Sequence, residues 1–192
     1  MTKTKKTAYH HGNLKKALTT AAMDIINREG KSGLTLRAVA KAACVSRTAP
    51  YRHFKNKDAL LAAVAGEGFK ELTGLLQAIA NREKDSLERI FQQAHTYVGF
   101  ARDNPARFEV MFGFNLENYL LYPSLKEAAT AATICLFESL EACQKAGLVK
   151  TGNQIEIAFG AWMPIHGFAV LLINGLVPFT IEDEESLARI VR

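Results

Sequence analysis

Between Leu34 and Leu61 the chain reads LTLRAVAKAACVSRTAPYRHFKNKDALL, and Arg47, Thr48, Tyr51, Arg52 and His53 fall there with no carboxylate between them. Cations, a hydroxyl, a phenol and an imidazole at that density suit base edges and phosphates rather than bond breaking. Other residues invite chemical readings that their surroundings do not support as well. Tyr9, His10 and His11 are adjacent but lack the cysteines or acids of a metal site, so packing or a DNA-backbone contact is the better reading and no metal is expected. Cys44, Cys135 and Cys143 form no CxxC pair and leave an odd count, which points to small buried hydrophobes in a reducing cytoplasm. His95 and His166 lie in apolar helical stretches, either as hydrogen-bonded core histidines or as ligand-sensing groups. Phe108, Met111, Phe112 and Phe114 read equally as pocket lining or as plain core. No glycine-rich phosphate loop, nucleophile elbow, HExxH or carboxylate pair occurs, so an enzyme is not expected, nor a cofactor.

Two short helices must position the donors. Leu36, Val39, Ala40 and Ala43 recur at i, i+3, i+4 and i+7, and Thr35 is placed to cap their helix. A tight turn at Ala43–Val45 leads into a very short second helix from Arg47 to Phe54, capped by Ser46, whose apolar side chains are Pro50 and Phe54. That is a helix-turn-helix, a unit whose second helix can enter a major groove. Ahead of it, Leu14, Leu18, Ala21, Ala22, Ile25 and Ile26 mark one face of a helix that Gly30 stops. A long helix through Leu61, Val64, Leu72, Leu75, Leu76 and Ile79 follows Asn56. The polar run 81–86 is the best linker; Asp85 with Glu88 then opens a helix in a capping-box-like arrangement. Pro105 and Pro123 open two more, the second closing at Gly147–Leu148. An apolar helix from about Gln154 and an acidic one from Glu182 complete an all-α fold of about nine helices.

Charge is split along the chain. Residues 1–60 hold 13 Lys and Arg against three acids, while residues 61–192 hold 11 against 16. A basic head on an acidic body suggests a polyanionic partner, although a solvated basic face reads the same way on charge alone. From Ile157 to Ile181 no charged residue occurs, longer than the ~20 residues that span a bilayer. Pro164, Pro178, His166, Asn174 and the acidic flanks argue against a span, and leave a buried or subunit-interface helix. The Lys-rich N-terminus lacks the apolar stretch of a signal peptide, so a cytoplasmic protein is expected.

The string VSRTAPYRHFKNKDALL resembles the recognition helix of the TetR family and the start of its next helix, with Tyr-x-His-Phe followed by Lys and Leu. YHHGNL at Tyr9 to Leu14 and the W-x-x-x-H-G of Trp162, His166 and Gly167 resemble the branch of that family bearing a WHG signature. The resemblance implies a DNA-binding domain over residues 9–62 and a helical effector-binding and dimerisation domain over residues 63–192. It implies DNA contacts from Thr35 and Arg37, a recognition surface of Ser46, Arg47, Thr48, Ala49, Tyr51 and His53, and a phosphate contact from Lys57. Where the family has Gly, this chain has Cys44; a left-handed backbone there costs on the order of 1 kcal/mol.

The resemblance further implies a homodimer through the last two long helices, a pseudo-palindromic double-stranded operator, and a transcriptional repressor released by a small, largely apolar effector. His95, Tyr97, Phe108, Phe112, Asn115, Trp162 and His166 are the candidate pocket residues. A DNA-binding protein without an effector is the alternative.

Overall fold

A computed structural model describes residues 11–114, 116–177 and 184–191. All regular structure among them is helical: α1 (His11–Gly33), α2 (Leu36–Ala42), α3 (Lys57–Arg82), α4 (Ser86–Asp103), α5 (Pro105–Phe112), α6 (Leu116–Leu121), α7 (Pro123–Lys145), α8 (Gln154–Ile173) and α9 (Glu184–Val191), with a 3₁₀ turn at Pro50–Arg52. The chain divides into two compact units, one ending at Val64 and one beginning at Ala65, inside α3. Of the sequence expectations, those for Tyr9, His10 and Asn115 lie outside the described residues.

The helix boundaries follow from local chemistry. Thr35 Oγ1 accepts from the Ala38 amide at 3.0 Å, Asn56 Oδ1 from Ala59 at 2.9 Å, and Asp85 Oδ1 from Leu87 and Glu88 at 2.9 and 2.8 Å. Each satisfies donors that a helix start leaves without partners. The Asp85 amide is taken by Glu83 Oε1 rather than by Glu88, so the second half of the capping box comes from upstream. At the far end of α7, Gly147 adopts φ 74°, Leu148 N–H reaches Cys143 O and Gly147 N–H reaches Gln144 O, a complete Schellman ending. Gly30 breaks α1 with φ 71° and ψ −178°, and the last turn resumes beyond it.

Three expectations need correction. The helix expected from Arg47 to Phe54 is a turn followed by the 3₁₀ segment Pro50–Arg52. Pro50 has no N–H to give the Ser46 carbonyl, so Ala49 N–H takes that carbonyl at 3.0 Å and the tighter winding propagates. Ser46 does not cap by side chain: its hydroxyl lies 3.3 Å from that of Thr48. Cys44, expected to be buried, is exposed, whereas Cys135 and Cys143 are buried; all three are free thiols.

In the first unit the core is Leu18, Ala22, Ile25, Ile26, Leu34, Leu36, Val39 and Ala40, with Pro50, Phe54 and Leu60 also buried. In the second, α4 packs against α5, α7, α8 and α9. Gln93 and Tyr97 of α4 are buried, and Gln93 Nε2 donates to Leu76 O at 3.2 Å. Gly68 has no room for a side chain, since a Cβ there would lie 2.6 Å from Met111 Sδ.

Helix α8 is 20 residues long and, by length and composition, apolar enough to cross a membrane. Of its residues only Ala158 and Ala169 are buried, while Ile155, Phe159, Met163, Val170 and Leu171 are exposed. The neighbouring α7 bears an open apolar groove of about 420 Å³ along Pro123, Lys126, Glu127, Thr130, Ala131 and Ile134.

Candidate DNA-binding surface and aromatic cluster

The turn between α2 and the recognition segment is set by Cys44. It has φ 53°, the one non-glycine residue with positive φ among the described residues. Val45 N–H reaches Ala40 O at 3.0 Å and Cys44 N–H reaches Lys41 O at 3.2 Å. This is the Schellman pattern with cysteine where glycine is favoured. The turn is built despite the strain.

Beyond it, Ser46, Arg47, Thr48, Tyr51 and Arg52 are exposed, and Ala49 and His53 are half-buried. Tyr51 holds 57% of its surface free, unusual for an aromatic side chain without a partner. Thr35 and Arg37, at the start of α2, are exposed as well. The Thr35 oxygen accepts the cap bond, and its hydroxyl hydrogen stays available to a phosphate. These residues therefore share one accessible stretch of the first unit, with exposed donors and no acid between Arg47 and His53. Lys57 differs: its ammonium donates to the main-chain carbonyl of Lys31.

In the second unit Tyr97, Phe108, Phe112, Trp162 and His166 come together. The Trp162 indole stacks on the His166 ring at 4.6 Å and 26°. Phe112 lies 4.6 Å from both His166 and Phe108, and Tyr97 meets Phe108 edge-on at 5.5 Å. Through these rings runs a hydrogen-bonded chain. Trp162 Nε1–H donates to Tyr97 Oη at 3.3 Å, and Tyr97 Oη lies 2.7 Å from His166 Nδ1. A buried phenol needs an acceptor for its own hydrogen, and His166 Nδ1 provides it, which assigns the histidine its Nε2–H tautomer. Burial drives the Tyr97 pKa far above the ordinary tyrosine range, against the opposing pull of the Trp162 N–H, with Tyr119 nearby adding to the rise. Burial also lowers the His166 pKa, so the imidazole is held neutral.

His95, on α4, is half-buried. Phe69 of α3, which no sequence pattern singles out, joins the ring cluster by meeting Phe112 edge-on at 5.3 Å. Gln93 Oε1 is buried and has no hydrogen-bond partner among the described residues.

A helix-turn-helix unit with an exposed, acid-free recognition segment, followed by a separate helical unit with a hydrogen-bonded aromatic cluster, is the plan of a DNA-binding regulator. Comparison makes this specific. Residues 18–64 match the family described as bacterial regulatory proteins, tetR family, and residues 90–192 match the one described as tetracyclin repressor-like, C-terminal domain. The chain belongs to the TetR family of transcriptional regulators. It is similar to the HTH-type transcriptional regulator YobS of Bacillus subtilis (strain 168), 26% identical over 182 residues, 94% of this chain and 90% of that one. The nucleoid occlusion factor SlmA of Vibrio campbellii is 31% identical over 99 residues, 52% of this chain and 50% of its own. Among solved structures, a Rhodococcus sp. RHA1 protein of unknown function superposes with a TM-score of 0.82 at 29% identity, covering 97% of this chain and 95% of that one. The fatty acid degradation regulator FadR of Bacillus halodurans shares the fold, with a TM-score of 0.76 at 16% identity over 95% and 94% of the two chains.

Proposed function

We propose that this regulator acts in the cytoplasm as a homodimeric repressor, released from a pseudo-palindromic operator by a small, largely apolar effector. Thr35, Arg37, Ser46, Arg47, Thr48, Ala49, Tyr51 and His53 form its DNA-facing surface. Two copies pair through the exposed faces of α7 and α8, covering Phe159, Met163 and Leu171, too much contiguous apolar surface to leave in water. A monomer by sedimentation at micromolar concentration would remove that part. The effector enters at Tyr97, Phe108, Phe112, Trp162 and His166, and no catalytic step is assigned to them. His95 and Asn115 remain candidate ligand-binding residues.

The observation that carries the reading is the Trp162–Tyr97–His166 chain packed among aromatic rings. It offers a ligand stacking surface and neutral donors and acceptors that can be re-paired without exposing a charge. Phe69 ties the cluster to α3 through its edge-on contact with Phe112. By linkage, the effector must prefer the DNA-free form, and a hundredfold preference corresponds to about 2.7 kcal/mol.

The test is a thermal-shift screen of metabolites and hydrophobic cations, read in parallel by the emission of Trp162, the single tryptophan. Hits that shift Trp162 emission and lower operator affinity support the reading. Stabilising hits that leave operator affinity unchanged favour a DNA-binding protein without an effector.

A further inference from the structure

Two buried polar atoms of the second unit have no hydrogen-bond partner among the described residues, Gln93 Oε1 on α4 and Ser139 Oγ on α7. Gln93 is 6% exposed and Ser139 is fully buried. The Gln93 amide has a fixed orientation, because Leu76 O can only accept and so takes the Nε2 side. Hydroxyls on the long helices otherwise settle on the carbonyl one turn back. Thr73 does so on Phe69 O at 2.8 Å, and Thr133, on the same helix as Ser139, does so on Ala129 O at 3.1 Å. Ser139 does not.

The two orphaned atoms belong to one interface, since α4 packs against α7. Cys135, Ser139 and Cys143 are buried at four-residue spacing on α7, as Gln93 and Tyr97 are on α4. Cys143, near the end of α7, feels Arg89 and Asp85 at the start of α4, although burial is the main cause of its raised pKa. Leu125, at the start of α7, lies against Gly66 of α3. Farther along α3, Glu71 pairs with Arg107, just beyond the end of α4, and Leu76 holds Gln93. Helices α4 and α7 therefore run antiparallel. One turn back from Cys143 is Ser139 and one turn on from Arg89 is Gln93, so the two come to the same level. They do not bond each other, which leaves room for a third group between them. One further turn along α4, about 6 Å, is Tyr97 of the aromatic cluster.

We infer that Gln93 and Ser139 form the polar end of the effector site, and that the effector is a neutral molecule with a hydroxyl or primary amide a short carbon chain away from a flat apolar body. The body packs on the rings of Phe112 and Trp162. The polar end donates to Gln93 Oε1 and accepts from the Ser139 hydroxyl. An ionised carboxylate has no hydrogen for Gln93 Oε1 and would face it lone pair to lone pair, so acids are rejected. The inference rests on an effector at the aromatic cluster, and the two fail separately: that reading turns on release from the operator, this one on binding without DNA.

The experiment titrates the full-length protein with phenylpropanol, phenylpropionamide, phenylpropionate and propylbenzene, which share one body and differ at its end. Binding is read from Trp162 emission. The alcohol and the amide are expected to bind about tenfold more tightly than the hydrocarbon and the acid. Ser139→Ala and Gln93→Leu should each remove that preference while leaving the affinity for propylbenzene unchanged. Removing an unpartnered hydroxyl strands no other group, so Ser139→Ala should leave the Tm of the free protein unchanged or higher. Ser139→Ala carries the comparison alone if Gln93→Leu does not fold. A preference that survives in the variants overturns the inference, as does a wild type that binds none of the four or binds the acid as well as the alcohol. A Tm lowered by several degrees in Ser139→Ala also overturns it, because the hydroxyl would then serve a structural water.

Discussion

The recognition segment and the aromatic cluster solve opposite problems. The first leaves its donors to the solvent: Arg47, Thr48 and Tyr51 are exposed, and the backbone that carries them is a turn followed by a 3₁₀ segment, with a strained residue at its entrance. The second pairs its groups internally, with Tyr97 bonded on both sides and every ring against another. Residues kept for an external partner contribute little to their own unit's stability, whereas those of an enclosed site contribute much. Substitutions in the two places should therefore separate in kind: stability for the cluster, DNA affinity for the segment.

The largest effect is expected at Phe108, which is 1% exposed and touches Tyr97, Phe112 and His166. Phe108→Ala should cost about 3–5 kcal/mol of stability in denaturant titrations, from lost burial plus the cavity left behind. A cost below about 1 kcal/mol would mean that the cluster is loosely packed, and the contrast would weaken. Next comes Tyr97→Phe, which removes one oxygen and leaves the Trp162 N–H and His166 Nδ1 without their shared partner. A polar group left unpaired costs about 1–3 kcal/mol when fully buried, and the half-exposed Trp162 and His166 bring the expected loss to the low end of that range; Trp162 emission should shift with the change. An unaltered spectrum would show that the chain of hydrogen bonds is not formed in solution.

On the other side, Arg47→Ala and Tyr51→Ala should each weaken operator binding by about 1 kcal/mol or more while Tm stays within a degree or two of wild type. Equal losses of Tm and affinity would erase the distinction.

What was legible in the sequence divides along a related line. Helix ends are decided by a few adjacent residues, and Thr35, Asp85, Pro105, Pro123 and Gly147 marked them where the structure has them. The recognition segment reads as an α-helix because its donors and apolar spacing outweigh one proline, whereas the structure winds it as a 3₁₀ segment from Pro50. Helix α6, six residues long, is too short for periodicity to register. The cluster was legible as residue types and not as an arrangement. Tyr97 was named as a candidate, but its bonds to Trp162 and His166 bridge 65 and 69 residues of chain, and no local pattern encodes them. Cys44 was recognised as a departure from glycine, but its exposure follows from sitting outside the core at the helix turn.

Cys44 gives a smaller effect in the first unit. Replacement by glycine relieves a left-handed strain of about 1–2 kcal/mol, offset by the added freedom of glycine in the unfolded chain. Cys44→Gly should therefore raise stability by about 0.5–1 kcal/mol without changing operator affinity at fixed salt. A gain in affinity would mean instead that the turn is held in a shape poorly matched to DNA.

The smallest effect belongs to His166, and acid reaches it selectively. Burial holds its pKa below the ordinary 6.5, so the unfolded chain takes up the proton at a higher pH than the folded one does. Its contribution is fully present above pH 6.5 and is lost as pH falls through the lowered folded value. The neutral imidazole accepts from Tyr97, and protonation of Nδ1 removes that acceptor and places a charge among the rings of Phe112 and Trp162. Trp162, stacked on the same ring, reports the event directly, because imidazolium quenches indole emission. Emission should therefore fall with a midpoint below pH 6.5, and the denaturant midpoint should decline over the same window. His166→Asn keeps an acceptor for Tyr97 but cannot titrate, so both curves should flatten. A quenching midpoint at or above 6.5, or parallel curves in the two proteins, would show that the ring is open to water and that the cluster is not the enclosed counterpart of the recognition segment.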